Sequence, residues 1–170
     1  PQANRLAKIP AAGGVWHRTG DLGYLDAEGR VWFCGRKADR IEWPAGSWLF
    51  SDPVENVFNQ HPSVFRSALV RGPESKGSAA AGVQPVIVIE PLPHYFPHTA
   101  RARADFAREL RALGSRFALT AGLTRFAFHA GFPVDRRHNA KIFRARLARW
   151  VTRRRLVERD AQARPALRVP

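Results

Sequence analysis

Apolar residues recur along this chain with two periods. Short alternating or continuous runs predict strands at Val15-Trp16-His17-Arg18, Leu22-Gly23-Tyr24-Leu25, Val31-Trp32-Phe33-Cys34, residues 64–71, residues 83–90 and Arg125-Phe126-Ala127-Phe128-His129. Ala11-Ala12-Gly13-Gly14 reads as a turn, and Asp26-Ala27-Glu28-Gly29 as the loop of a hairpin. Helical spacing marks three further segments. The first begins at Asp52-Pro53, with Asp52 as N-cap and Pro53 at the first helical position. It places Val54, Val57 and Phe58 on one face and ends at His61-Pro62. The second spans 101–119, with Phe106, Leu110, Leu113 and Phe117 in register. The third spans 140–151, with Ile142, Phe143, Leu147 and Trp150 inward and Lys141 at its start.

Polar and Pro/Gly-rich stretches separate these elements. Residues 35–40 read as a linker, 41–50 as a small hairpin or loop, 72–82 as a flexible connection and 91–99 as a loop. Beyond Thr152 the periodicity fades, and a mobile tail is expected. The resulting order predicts an α+β domain, a small sheet packed with helices plus a hairpin, without internal repeats.

Composition adds three constraints. The 170 residues are 45% hydrophobic, enough for a core without metal or disulfide support. One Cys excludes an internal disulfide framework and a Cys-rich zinc site. No apolar run approaches a membrane span, and no signal segment opens the sequence, which points to a reducing, cytoplasmic setting. The chain starts at Pro1 and lacks Met, as expected of a processed product or a piece of a longer protein.

The formal charge is +14, unevenly spread. Residues 136–170 hold twelve Arg or Lys and two acids, so the first 135 residues carry only about +4. A basic tail can bind phosphates or simply be solvated, and the solvated face is the more common case.

Three places carry candidate chemistry. Asp21, in Thr19-Gly20-Asp21, can accept hydrogen bonds from vicinal hydroxyls, and equally suits any turn. Arg36, after the strand-ending Gly35, can reach a ribose or phosphate, and equally suits a surface. Lys141, in FPVDRRHNAKIFR, can stabilise negative charge during transfer, and is equally one cation among many. It is nonetheless one of only four lysines, at positions 8, 37, 76 and 141, in a chain that otherwise uses Arg. The histidines offer no metal-ligand spacing beyond His94-x-x-x-His98, and no metal site is expected. Cys34 and the five Trp read as packing residues.

In combination these segments resemble a known family. WHRTGDLGYLDAEGRVWFCGRKADRIE is similar to the end of the large domain and the hinge of adenylate-forming enzymes. That family includes acyl-CoA synthetases, luciferases and peptide-synthetase adenylation domains. DPVENVFNQHPSV resembles the helix that follows, and Pro133 to Lys141 resembles the C-terminal lysine motif. The likeness covers about residues 15 to 150. More narrowly, WFCGRKA, VFNQHPSVFRSALV and FPVDRRHNAKIFRARLARW look like the olefin-biosynthesis branch, which acts as a β-lactone synthetase.

The resemblance implies a layout and roles. Residues 1–36 would end a large adenylation domain, 37–151 would form the C-terminal lid, and 152–170 a basic tail. Asp21 and Arg36 would bind the ribose of ATP and of the adenylate, and Lys141 would bridge the carboxylate and the α-phosphate. Ala38 falls at the hinge position, usually Asp or Lys, with Asp39 beside it. Gly46 marks the loop by the thiol channel, and the basic residue usual after it is absent from Gly46-Ser47-Trp48. That absence favours internal attack by a substrate hydroxyl over attack by CoA.

The implied reaction uses ATP and Mg²⁺, the metal ligands being expected upstream. It converts a 2-alkyl-3-hydroxy acid to a β-lactone with release of AMP and pyrophosphate. Partners would be the upstream large domain of the same protein and other olefin-pathway enzymes, with no specific nucleic acid. The 170 residues alone are expected to be inactive. An ordinary fatty acyl-CoA ligase, acting on a fatty acid with CoA, is the second reading. A small basic nucleic-acid-binding domain is the third; it calls for clustered exposed aromatics and for binding that falls steeply with salt, whereas nonspecific binding that vanishes on deletion of 152–170 is what the lid reading expects.

Overall fold

Strand pairing sets most of the architecture. The computed structural model describes residues 7–43, 46–75, 82–135 and 137–154. Four two-stranded antiparallel pairs are formed by β1 (Lys8–Ala11) with β2 (Gly14–His17), β3 (Asp21–Leu25) with β4 (Val31–Arg36), β5 (Ile41–Trp43) with β6 (Ser47–Leu49), and β10 (Val134–Asp135) with β11 (His138–Ile142). The central sheet has the order β7 (Val64–Ser75), β8 (Gly82–Pro91), β9 (Phe126–Phe128), with β7 antiparallel and β9 parallel to β8. Among the described residues three helices complete the fold: α1 (Ser51–Phe58), α2 (Ala100–Gly114) and α3 (Arg144–Thr152).

The near-continuous Val/Ile run of β8 is explained by burial on both faces. Ile87 and Ile89 enter one cluster with Val54, Phe58, Phe106, Leu110 and Phe126, beneath α1 and α2. Val86 and Val88 enter the other with Ala68, Val70, Leu147 and Val151, beneath α3. The sheet is thus the middle layer of three, the α+β arrangement expected.

Several boundaries differ from the sequence pattern, each for a local reason. The first helix starts at Ser51, with Phe50 at the N-cap and no side-chain cap bond, so Asp52 lies in the first turn rather than at the cap. The second helix stops at Gly114, because the buried Thr120 hydroxyl donates to the Gly114 carbonyl at 2.7 Å and the chain turns there. The predicted connection 72–82 is strand at 72–75 and at 82, since Glu74 pairs with Val83 and Ser75 with Gly82; residues 76–81 lie outside the described residues. The linker begins later than predicted, because Gly35 and Arg36 still pair with Leu22 and Asp21. The predicted tail lies outside the described residues from 155 onward.

The β3–β4 loop is tied by one carboxylate. Asp26 accepts the Trp32 indole N–H at 2.7 Å, the Arg30 Nε–H at 2.6 Å, and the backbone N–H groups of Glu28 and Arg30. The Trp32 bond, ahead of the bonds from Arg30 and the backbone and against the cost of desolvation, lowers the Asp26 pKa to about 2. A carboxyl lowered on folding contributes stability above its unfolded value, and that contribution is lost as pH falls. The Trp32 indole resonance should therefore hold its position below pH 3.8 and move only near pH 2. An NMR titration in which it moved at the ordinary carboxyl value would contradict this.

Candidate functional site

Gly35 fixes the meeting point of the β3–β4 hairpin and the helical layer. Its φ is +103°, and a Cβ there would come closer than van der Waals contact to the Ser51 hydroxyl and within 3.4 Å of the Asp52 nitrogen. Only glycine accommodates both demands. Gly35→Ala should cost about 2 kcal/mol of stability, measurable by urea unfolding.

This junction places Arg36. Asp21 and Arg36 are register partners, and Arg36 Nε lies 3.0 Å from Asp21 Oδ1. Arg36 Nη1 donates to the Thr19 carbonyl at 2.6 Å, and the Asp21 N–H donates to Thr19 Oγ1 at 3.2 Å. The Lys37 N–H donates to the Gly20 carbonyl at 2.8 Å. The TGD turn and the Gly-Arg pair, distant in the sequence pattern, are one hydrogen-bonded unit.

Residues Lys37–Asp39 form a single 3-10 turn that carries the chain away from this unit. Ala38 is exposed and Asp39 half-buried. Lys141 lies in β11, not at a helix start: Val134 pairs with Ile142, the Phe143 N–H donates to the Pro133 carbonyl, and α3 begins only at Arg144. The helix-terminus field expected around Lys141 is therefore absent, and its own ammonium is what it brings. Lys141 is exposed and, among the described residues, has no ion-pair partner.

An open cleft of about 1170 Å³ joins these pieces. Thr19, Gly20, Arg36, Ala38, Asp39 and Lys141 all line it, although Lys141 is more than 100 residues from Arg36 in sequence. Asp21 sits at its edge through the Arg36 pair. Gly46 does not line the cleft; it occupies the β5–β6 connection with φ +76°, while Trp48, two residues on, does line it. The Arg40 guanidinium stacks 3.9 Å above the Trp48 ring, and Arg71 Nη2 donates to the Arg40 carbonyl at 3.0 Å. The loop after Gly46 thus has a cation beside it, supplied by the residue that follows the 37–39 turn. Its missing basic residue therefore carries less weight against CoA than the sequence pattern gives it.

The cleft has a buried anchor that the sequence pattern did not single out. Glu55 on α1 is 8% exposed, within the face formed by Val54 and Phe58. Arg144 binds it through both terminal nitrogens, Nη2 to Oε2 at 2.9 Å and Nη1 to Oε1. The Leu69 N–H adds a bond to Glu55 Oε1 at 2.7 Å, and Arg144 Nε lies 3.3 Å from Asp39 Oδ2. Burial pushes the Glu55 carboxyl up, against the pull of Arg144. Burial pulls Arg144 down, but Glu55 and then Asp39 outweigh it and its pKa rises. A cationic fork and a backbone N–H converge on one carboxylate, which favours the charged forms of both partners against the cost of burial. One signal was present in the sequence: a carboxylate amid a helix's apolar stripe requires a partner.

The hairpins β1–β4 expose much apolar surface. Trp16 is 71% exposed, and the stacked rings of Tyr24 and Trp32 lie in the open with Phe33. Trp16 and Trp32 are therefore not packing residues within the described structure, contrary to the expectation from sequence, whereas Trp43 and Trp150 pack against the two core clusters as expected. Cys34 is buried, as expected.

No family model matches the chain. Among known proteins, an olefin β-lactone synthetase of Xanthomonas campestris pv. campestris is 49% identical over 142 residues, which is 84% of this chain and 24% of that protein. One of Stenotrophomonas maltophilia is 46% identical over 161 residues, 89% of this chain and 26% of that protein. The chain therefore spans about a quarter of the length of these relatives. Among solved structures, an ATP-bound RpMatB-BxBclM chimera superposes with a TM-score of 0.67 at 21% identity, over 88% of this chain and 27% of that one. The anthranilate CoA ligase AuaEII in complex with anthranoyl-AMP superposes with a TM-score of 0.64 at 24% identity, over 82% of this chain and 25% of that one.

Proposed function

We propose that this chain, which shares its sequence and its fold with the adenylate-forming enzymes, supplies the lid and the lysine of an ATP-dependent carboxylate-activating enzyme. In this reading residues 1–36 close the large domain, 37–151 form the lid, and Ala38 with Asp39 is the pivot between them. The exposed side chains of β1–β4 then face the remainder of the protein. The observation that carries the reading is the shared cleft, which Lys141 lines together with Arg36 of the Asp21–Arg36 unit.

The chemistry follows from that placement. A substrate carboxylate oxygen attacks the α-phosphorus of ATP, and pyrophosphate leaves. Nucleophile and phosphate are both anionic, so an ammonium between them offsets the repulsion of approach. Lys141 supplies it. Asp21 accepts the ribose hydroxyl protons, and Arg36, held by Asp21 and by the Thr19 carbonyl, fixes the nucleotide's orientation. The 3-hydroxyl oxygen of a 2-alkyl-3-hydroxy acid then attacks the acyl carbon of the adenylate. The acyl–phosphate C–O bond breaks, AMP leaves, the hydroxyl proton passes to solvent, and a β-lactone remains. Holding hydroxyl and acyl carbon together is a proximity effect that needs no second substrate.

Among the described residues no three His, Cys, Asp or Glu side chains gather, so they offer no cage for Mg²⁺. No described helix is long and apolar enough to cross a membrane.

The test is product identification. The full-length protein, ATP, Mg²⁺ and a 2-alkyl-3-hydroxy acid should yield a β-lactone and AMP without CoA, by mass spectrometry. The Arg40–Trp48 stack favours one other reading, an acyl-CoA ligase; a thioester formed only when CoA is added would establish it instead. The isolated 170 residues should turn over no ATP.

A further inference from the structure

Arg144 has no part in the chemistry above, yet it joins four segments of the chain. Its side chain is 19% exposed. It binds Glu55 of α1 with both terminal nitrogens, reaches the Leu69 carbonyl of β7 at 3.4 Å, and pairs with Asp39 of the 37–39 turn at 3.3 Å. It is also the first residue of α3, two residues beyond the end of β11 and three beyond Lys141.

The two cations that line the cleft, Arg36 and Lys141, are therefore referred to one point. On one side the anchor is three residues from Lys141. On the other, Asp39 is three residues from Arg36 and adjacent to Ala38. Packing alone does not hold this junction: a cavity of about 160 Å³, lined by Ala38, Asp39, Leu69, Arg144 and Ala148, lies beside it. The ion pair borders that gap. Lys141 also needs such an anchor, because β10 and β11 form a two-stranded pair and β10 is only two residues long. A two-stranded hairpin is marginal by itself.

The geometry points to Arg144 as a positioning residue: by clamping Asp39 to Glu55 it sets where Lys141 stands relative to Arg36. This rests on the reading of Lys141 as the activating lysine. It adds that, of the pivot pair, Asp39 moves as one body with the lysine strand, so that rotation is confined to Ala38 and the residues before it. Misplacement of a reacting group by about 1 Å costs on the order of 10²-fold in rate.

Four variants of the full-length enzyme test it: Lys141→Ala, Asp39→Asn, Arg144→Lys and the double variant Lys141→Ala/Asp39→Asn. ATP–pyrophosphate exchange reads adenylate formation, and circular dichroism confirms folding. Asp39→Asn keeps the Glu55–Arg144 pair, so it should fold even if Arg144→Lys does not. It should lower the kcat of exchange about 10-fold with the KM for ATP changed less than about twofold. Arg144→Lys, which loses the planar fork, should lower kcat about 10²-fold. The double variant should be no slower than Lys141→Ala, since Asp39 acts through the lysine. Limited proteolysis should cut folded Asp39→Asn faster within 36–40.

Wild-type exchange by Lys141→Ala would overturn the activity reading itself. Impaired Lys141→Ala beside wild-type exchange and unchanged cutting in Asp39→Asn would overturn the positioning role alone. A double variant slower than Lys141→Ala by the full Asp39 factor would do the same.

Discussion

Lys141→Ala in the full-length enzyme should slow adenylate formation about 10²- to 10³-fold, the range seen when one donor to a developing anionic centre is removed. Stability should stay within about 0.5 kcal/mol, because Lys141 is exposed on β11 and packs in neither core cluster. The size of the loss follows from the charges involved. Two unit charges about 4 Å apart interact by about 4 kcal/mol at an effective dielectric of 20. A carboxylate approaching a phosphate meets repulsion of that order. Arg36 cannot take over, because its Nε is held by Asp21 and its Nη1 by the Thr19 carbonyl. Lys141→Arg should recover only part of the rate, since a planar fork does not occupy the place of a compact ammonium. Pyrophosphate exchange and hydroxylamine trapping of the adenylate measure both variants. Unchanged exchange in Lys141→Ala would refute the assignment.

The candidate site is legible where it depends on local pattern, and hidden where it depends on long-range partners. Asp21, Arg36 and Lys141 stand out because each sits at the edge of a hydrophobic block, and the family likeness ties them together. The sheet and its helices follow from the Val/Ile run of β8 and from the spacing of Phe106 and Leu110. What sequence periodicity mistook was the setting of Lys141. Ile142, Phe143, Leu147 and Trp150 fit a helical spacing, yet pairing of Ile142 with Val134 across a hairpin takes residues 138–142 into a strand. Non-local pairing overrode local period there. Glu55 escaped notice for the converse reason. A single acid within an apolar stripe reads as an exception until Arg144, 89 residues later, is seen to bind it. The tryptophans divide: Trp43 and Trp150 pack against the core clusters as their apolar surroundings predict, whereas Trp16 and Trp32 lie open.

Glu55→Ala should destabilise the fold by about 3–5 kcal/mol, the cost of removing one partner from a buried ion pair. At about 2–4 °C per kcal/mol for a chain of this size, the melting temperature should fall by roughly 6–20 °C. The loss exceeds that of the missing contacts, because Arg144 keeps a buried charge that Asp39, itself half-buried, compensates only in part. The Leu69 N–H also loses its acceptor. Glu55→Leu combined with Arg144→Leu should recover most of that stability, since apolar residues of similar volume can replace a buried pair at little cost. The recovered protein would lack the link from α3 to Asp39. It should therefore melt close to the wild type and still form adenylate slowly, which separates what the pair does for the fold from what it does for Lys141. A double-leucine variant that regained both stability and wild-type exchange would show that the pair serves folding only.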